Sequence, residues 1–545
     1  MHQPLRQVDM QCLIDERDHD HAIRALHRRR VERHDRGIAN LRGHGRPGVP
    51  CRSTRAAAAA PRHAPRRPIL AATSFVLFLF AFVAVGLASA RFSRGTGADY
   101  YLASRSIPPP LAGLSAVATN NSGYMFIGVI GYTYSTGLAS LWLMLGWILG
   151  DYLASRWIHP RLRRAAAAGS ELSFVGLVSD WNGEVQPALK RLLALLTLVF
   201  LLAYTSAQLV AGSKALSGVF AWPQWSGAVL AAVLVIAYSA AGGLRASIWT
   251  DVAQSIVMMG AMAVLLYTAL AAAGGFSGAH AALSGVEHLL DWFPPDLAWP
   301  GVSGALLFAV GWLFAGFSVI GQPHIMVRFM ALSGDPGLTR TRRWYYTWFA
   351  LFYAMATGVG LLSRVLIADP GDFDAEMALP RLAQELLHPV GVGLILAGVF
   401  AATLSTADSL VLACSSALAR DLPASGRGEV PLLRYKFTTA LVVLCALVWA
   451  LLGRSSVFGI VIFSWSGLAA SLGPLLVLRV LGVPVVFANG ALAAVLGVAV
   501  AIGWRLAGLH SGVYEGMPGI LIAVLAGWLA RPRNRQRPAV NRRPS

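Results

Sequence analysis

Runs of about 20 apolar residues, the length that carries a helix across a hydrocarbon core roughly 30 Å thick, follow one another along most of this chain. About thirteen are present, at approximately 69–90, 110–134, 137–158, 192–213, 225–243, 249–273, 301–323, 344–367, 391–419, 437–453, 456–479, 484–506 and 513–530. The connectors between them are short, so no soluble domain is embedded. The pattern predicts an all-α polytopic membrane protein of about thirteen transmembrane helices over residues 68–530, with a basic extension at 1–67 and a basic tail at 531–545.

Composition agrees: 56% of the 545 residues are hydrophobic and 13% charged, against about 25% charged in soluble domains. The net charge of +19 would suit a nucleic-acid binder, but its distribution points to a bilayer. If the first run crosses from outside to inside, the inner connectors and C-terminal tail hold 25 Lys and Arg. The outer connectors hold five, Lys214, Arg364, Arg381, Arg454 and Arg505. This positive-inside asymmetry predicts a multi-pass protein of the inner (plasma) membrane, with its N-terminus outside and its C-terminus in the cytoplasm. It also accounts for most of the basic surplus with no nucleic-acid partner.

Residues 1–67 fit this topology badly. They carry fifteen Arg, seven acids and a run of five Ala, with no apolar period and no cleavable signal pattern, so they read as disordered. A net charge of about +8 resists export to the outside. A genuine extension and a gene start placed too far upstream both explain it. The second is the expectation, although it needs a non-standard initiation codon because no Met lies between Met10 and Met125. Four scattered cysteines, Cys12, Cys51, Cys414 and Cys445, imply neither a disulfide framework nor a metal site.

Polar residues inside the apolar runs carry the functional signal. Ionisable groups there cost roughly 2.5–3.5 kcal/mol at a helix centre, and three acids stand out: Asp151, Asp251 and Asp408. Asp151, with Arg156 five residues on, reads as an interfacial residue. Asp251 follows Gly242-Gly243 and serves either as a helix cap or as a membrane-embedded acid. Asp408 has apolar sequence on both sides. Ala402, Ser405, Thr406, Ser409 and Ser416 fall on one helical stripe, where hydroxyls either bond back to their own helix or offer hard oxygens to a hard cation. The run Thr119-Asn120-Asn121-Ser122-Gly123 is poor helix in mid-span, and Gly321-Gln322-Pro323-His324 interrupts the seventh run. Two interrupted segments at corresponding positions of two halves point to an inverted-repeat secondary transporter, with spans two to six and seven to eleven as its five-plus-five core.

These residues resemble the sodium/solute symporter family, closest to its sodium/proline symporters. The matching text is "DYYLASRSIPPPLAGLSAVATNNSGYMFIGVIG", "GGLRASIWTDVAQSIVMM", "GQPHIMVRFMA", "GVFAATLSTADSLVLACSSALARDL", "VFGIVIFSWSGLAASLGP" and "YEGMPGI", within about residues 70 to 530. The resemblance implies Na+-driven uptake of a small organic solute, most plausibly proline or a related amino acid, with no cofactor beyond Na+ as coupling ion. It implies a sodium site made of the carbonyls of Ala118, Asn121 and Ala402 and the hydroxyls of Ser405 and Thr406. A second cation site, found in some members, falls on Asp251, Ser405, Asp408 and Ser409. Asn120, Ser122, Gly123, Phe317 and Gln322 are expected at the substrate.

The departures from the proline carriers are specific. Those carriers have an acid where this chain has Asn120 and a small, typically hydroxyl-bearing residue where it has Asp408, which suggests that carboxylate charge has moved from the unwound helix to the ninth span. They place a Trp and a Tyr where Ala315 and Val319 stand here. Two other readings remain: proton coupling through Asp251 or Asp408, and a membrane sensor that uses this fold without transport. No Ser/His/Asp, zinc or nucleotide motif supports an enzyme, and His324 beside Pro323 reads as structural.

Overall fold

The computed structural model describes residues 68–91, 97–334, 337–367, 373–423, 432–453 and 456–532. The expected extension at 1–67, with Cys12 and Cys51, and nearly all of the tail lie outside them. The described residues are helical and connecting segments with a single isolated bridge, Ile107 to Leu332. Hydrocarbon leaves no water for backbone N–H and C=O groups, and a helix pairs them internally.

The principal helices are α1 (Pro68–Ala90), α2 (Pro109–Asn120), α3 (Gly128–Thr136), α4 (Leu141–Ala168), α5 (Pro187–Phe220), α6 (Gln224–Ala272) and α7 (Gly301–Phe317). They continue with α8 (Pro323–Met330), α9 (Gly337–Leu366), α10 (Pro389–Ser416), α11 (Leu432–Leu452), α12 (Val457–Val480), α13 (Phe487–Leu506) and α14 (Gly516–Leu529). Among the described residues, nine stretches are long and apolar enough to cross a membrane, and Gln224–Ala237, Lys436–Leu452 and Gly516–Leu529 are shorter apolar helices. One of the nine, the 46-residue Gly123–Ala168, holds two passes divided at Gly137–Ser140. The result is thirteen passes in the order that the apolar runs give, with α2 and α3 forming one broken pass and α7 and α8 another.

The fifth and sixth runs differ from expectation in one respect. They form a single helical element, α6, bent at Gly243, whose φ is +62°. A Cβ at Gly243 would sit 2.5 Å from the Tyr100 carbonyl oxygen, so the turn is made by one residue that both adopts a left-handed conformation and allows close approach. Asp251 is therefore no cap. It lies eight residues beyond the bend, fully buried within the helix.

Helix α10 lies at the centre, packed against α1, α5 and α6. In its apolar window 83% of residues are buried, against 28% in α1 at the periphery. The stripe Ala402, Ser405, Thr406, Ser409 and Ser416 is wholly buried, so its hydroxyls face protein and not lipid.

Gly243→Ala combines a left-handed backbone with a collision against a backbone oxygen, a strain of about 1–3 kcal/mol. Thermal unfolding of the purified protein in detergent should show a lower midpoint for this variant; an unchanged midpoint would mean that the bend relaxes freely.

Candidate functional site at two helix breaks

The first break is built by its own side chains. Helix α2 ends at Asn120, and Asn121 leaves helical geometry (φ −91°, ψ 64°) while its side-chain amide donates to the Val117 carbonyl at 3.0 Å. Ser122 is extended (φ −61°, ψ −173°), and its hydroxyl accepts from the Tyr124 N–H at 3.2 Å as the N-cap of the turn Gly123–Phe126. The polar run thus pairs backbone groups that an interrupted helix would leave bare. At the second break α7 tightens into a 3₁₀ turn at Ser318–Gly321. Gln322 is extended, and Pro323 opens α8. The Gln322 amide bridges the carbonyls of Ser318 (3.2 Å) and Trp465 (3.0 Å), anchoring the break to α12.

Three of the five groups expected at a sodium ion meet directly. The Ser405 hydroxyl lies 3.3 Å from the Ala118 carbonyl oxygen and 3.1 Å from that of Ala402. Thr406 donates to the Thr119 carbonyl at 2.9 Å, one residue along the same helix end. Asn121 is buried at that end. The donor set is uncharged hydroxyl and carbonyl oxygen from α2 and α10, the chemistry a hard monovalent cation takes.

Two of the four residues of the expected second cation site, Asp251 and Ser409, hold a cation that the chain itself supplies. Arg328 on α8 is fully buried, and one guanidinium nitrogen lies 2.7 Å from Asp251 Oδ2 and 2.6 Å from Ser409 Oγ. Its Nε donates to Ser115 at 2.7 Å, and Ser115 donates to the same Asp251 oxygen at 2.6 Å. Thr119 reaches both Asp251 and Ser409 at 3.4 Å, and Ser409 bonds the Ser405 carbonyl at 2.7 Å. One polar network therefore runs from Asp251 through Arg328 and Ser409 to the hydroxyl stripe. Asp408 is also buried, 7% exposed.

The expected substrate residues occupy two neighbouring clusters. The Gly123 N–H donates to Gln208 Oε1 at 2.9 Å, and the Ser122 hydroxyl accepts from Tyr204 at 3.3 Å. Tyr204 and Trp465 stand edge-on to His324. Asn120 instead donates to the Tyr345 hydroxyl at 2.6 Å. Phe317 is half-buried beside Phe314 and marks the end of α7. Asn120 Oδ1, Gln208 Nε2, Gln322 Oε1 and Thr403 Oγ1 are buried with no hydrogen-bond partner among the described residues, a concentration of unmet polar capacity around both breaks that suits a polar solute.

Asp151, expected near the inner boundary of its span, is enclosed by protein. It is fully buried, and its carboxylate accepts from Tyr345 at 2.7 Å and Tyr346 at 2.9 Å. Sequence reasoning passed over Gln208, although a glutamine inside an apolar run is a visible signal. Arg328 is counted with the inner connectors in the charge total above, because Arg340, Arg342 and Arg343 follow within fifteen positions.

Residues 100–497 match the sodium:solute symporter family. The high-affinity proline transporter of Bacillus subtilis (strain 168) is 29% identical over 439 residues, 78% of this chain and 91% of that protein. A sodium/proline symporter of Staphylococcus aureus is 28% identical over 483 residues, 84% and 92% of the respective chains. In structure, a Na+-coupled sialic acid symporter in a substrate-bound outward-open state aligns with TM-score 0.67 and 19% identity, over 84% of this chain and 96% of that one. A nucleobase-cation-symport-1 family transporter in a closed conformation aligns with TM-score 0.53 and 14% identity, over 80% and 95%. At these identities the structural likeness is one of fold. With a family match across most of the chain, two broken helices at corresponding positions and thirteen apolar passes, this multi-pass membrane protein belongs to the sodium:solute symporter family.

Proposed function

We propose that this protein carries out Na+-coupled uptake of a small organic solute, proline or a related amino acid, by alternating access. The observation that carries the reading is the meeting of the Ser405 hydroxyl with the Ala118 and Ala402 carbonyls. It places hard oxygens from a broken helix and an unbroken one around one point, so that a bound ion favours one relative arrangement of the two. The relatives named as proline carriers and the sialic acid symporter suggest a carboxylated solute, and the unpaired polar atoms near Gly123, Gln208 and Gln322 supply hydrogen-bonding capacity for one.

The proposed orientation follows the charge asymmetry, with the N-terminus outside and the C-terminus cytoplasmic. A small cavity lined by Tyr100, Ser173, Pro323, Arg328, Ser409 and Asp421 lies against the network of Arg328 and Ser409. On the opposite side Phe458 stacks on Tyr132 at 4.6 Å and on Tyr124 at 5.4 Å. Glu376 accepts from the Val457 and Phe458 N–H groups and pairs with Lys214 at 2.7 Å, latching that side.

We read Arg328 as the resident cation of the second site, so that one Na+ moves with each solute molecule. The same pair counts against proton coupling through Asp251, whose charge is already compensated at 2.7 Å.

In proteoliposomes, an inward Na+ gradient should drive accumulation of labelled proline, and replacing Na+ by K+ should abolish it; equal accumulation in both media contradicts Na+ coupling. Ser405→Ala and Thr406→Ala should each raise the Na+ concentration for half-maximal uptake about tenfold, the factor that about 1.4 kcal/mol carries, with expression intact. Arg328→Gln strands a buried carboxylate and should destabilise the fold by about 3–5 kcal/mol. Adding Asp251→Asn should recover much of that loss in a thermal-melt comparison. Equal melting of the single and double variants would mean the pair is not electrostatically coupled.

A further inference from the structure

The transport reading gives no role to Asp151. Asp151 lies on α4, fully buried, with Oδ2 accepting from the Tyr345 hydroxyl and Oδ1 from the Tyr346 hydroxyl, both on α9. Tyr345 in turn accepts from the Asn120 amide at 2.6 Å. Asn120 and Tyr345 thus donate in one direction, from the first helix break toward the carboxylate. The same stretch of α4 also touches the second break. A Cβ on Gly316 would sit 2.8 Å from the Asp151 backbone nitrogen, so α4 and the end of α7 pack backbone to backbone here.

Charge balance decides what this group does. Asp251 has Arg328 at 2.7 Å, whereas no Lys, Arg or His among the described residues forms an ion pair with Asp151. On α9, Arg342 donates to the Ser155 carbonyl. On α8, Arg328 is committed to Asp251, and His324 lies against Tyr204 and Trp465. Helix α7 and the turn Ser318–Gly321 carry no ionisable side chain, and the one on α12, Arg479, lies near its far end, bonded to the Ser179 carbonyl. On α4 itself Arg156 and His159 come one and two turns later, and His159 stacks on Phe329 at 3.8 Å. An ionised carboxylate at this depth needs a counter-charge. An alkali ion needs several inner oxygens, whereas the two oxygens here are already used by hydroxyl donors. A proton needs only the carboxylate.

We propose that Asp151 is a proton-binding site, joined through Tyr345 to Asn120 at the first helix break, so that its protonation state sets the rate of the Na+-driven cycle. The step is a proton exchange between solvent and the carboxylate: binding forms the O–H bond of a neutral acid, release restores the carboxylate. Losing that proton turns Asp151 into a stronger acceptor for Tyr345, tightening the tether on Asn120; gaining it loosens the tether. The transport half of this proposal rests on the symport reading, and the protonation half does not.

The test uses the full chain in lipid nanodiscs, by infrared difference spectroscopy across a pH series, with proline uptake at a fixed Na+ gradient alongside. A protonated-carboxyl band should titrate in the wild type and be lost in Asp151→Asn. Tyr346→Phe removes one donor to the ionised form and should raise the titration midpoint by about one pH unit. Wild-type uptake should vary with pH over the same range, and Asp151→Asn uptake should be flat. A titrating spectrum identical in wild type and Asp151→Asn overturns the proposal. So does an unmoved midpoint in Tyr346→Phe, which retains the carboxylate and serves if Asp151→Asn fails to fold. The spectrum requires neither Na+ nor solute, so a protein that titrates as expected but carries no proline counts against proline as the solute and leaves the protonation half standing.

Discussion

A helix broken inside a bilayer must find partners for its freed backbone groups, because each one left bare in hydrocarbon costs several kcal/mol. The centre of this protein is organised by that requirement. Asn121 and Ser122 pair the chain on either side of the first break. Gln208 takes the Gly123 N–H, and Thr406 takes the Thr119 carbonyl from the side. Gln322 serves the second break by tying it to α12. The Ser405 hydroxyl of the unbroken α10 then meets the carbonyl of Ala118 near the end of α2 as well as that of Ala402 in its own helix, and in the proposed reading an ion takes these oxygens.

Charge is handled by two different devices in the same region. Asp251 is compensated by an arginine held on the opposite repeat, so the pair ties α6 to α8 and α10 through Ser409. Asp151 is surrounded by hydroxyl donors instead. The first arrangement is a fixed structural link, whose disruption strands a charge. In the second, as proposed, a change of protonation strengthens or weakens the hydrogen bonds from the two tyrosines. Both connect to the end of α2, one through Thr119 and Ser115, the other through Asn120, so the broken helix senses both.

Much of the fold was legible in the sequence, because bilayer thickness fixes the length of each apolar run and the 3.6-residue period fixes which hydroxyls share a face. The broken helices were legible for the same reason: Asn-Asn-Ser-Gly and Gly-Gln-Pro-His have no other place in a span. The residues that were misplaced depend on partners distant in sequence. Asp151 has its hydroxyl donors on α9, 194 and 195 positions away. Arg328 stands close to basic connector residues in the chain yet is turned toward Asp251, 77 positions back. The bend at Gly243 was seen as a loop, since hydropathy does not distinguish a single left-handed residue from a short connector. The expectation that carboxylate charge had left Asn120 for the ninth span overlooked Asp151, which is linked to Asn120 through one tyrosine.

The account stands on the oxygens of α2 and α10 forming a cation site without the help of any solute. Equilibrium binding of radioactive Na+ to the purified full-length protein, with no solute present, measures this directly. Saturable binding of one Na+ per chain, displaced by unlabelled Na+ and not by K+, is the predicted result; binding that fails to saturate, or that K+ displaces equally well, would contradict it.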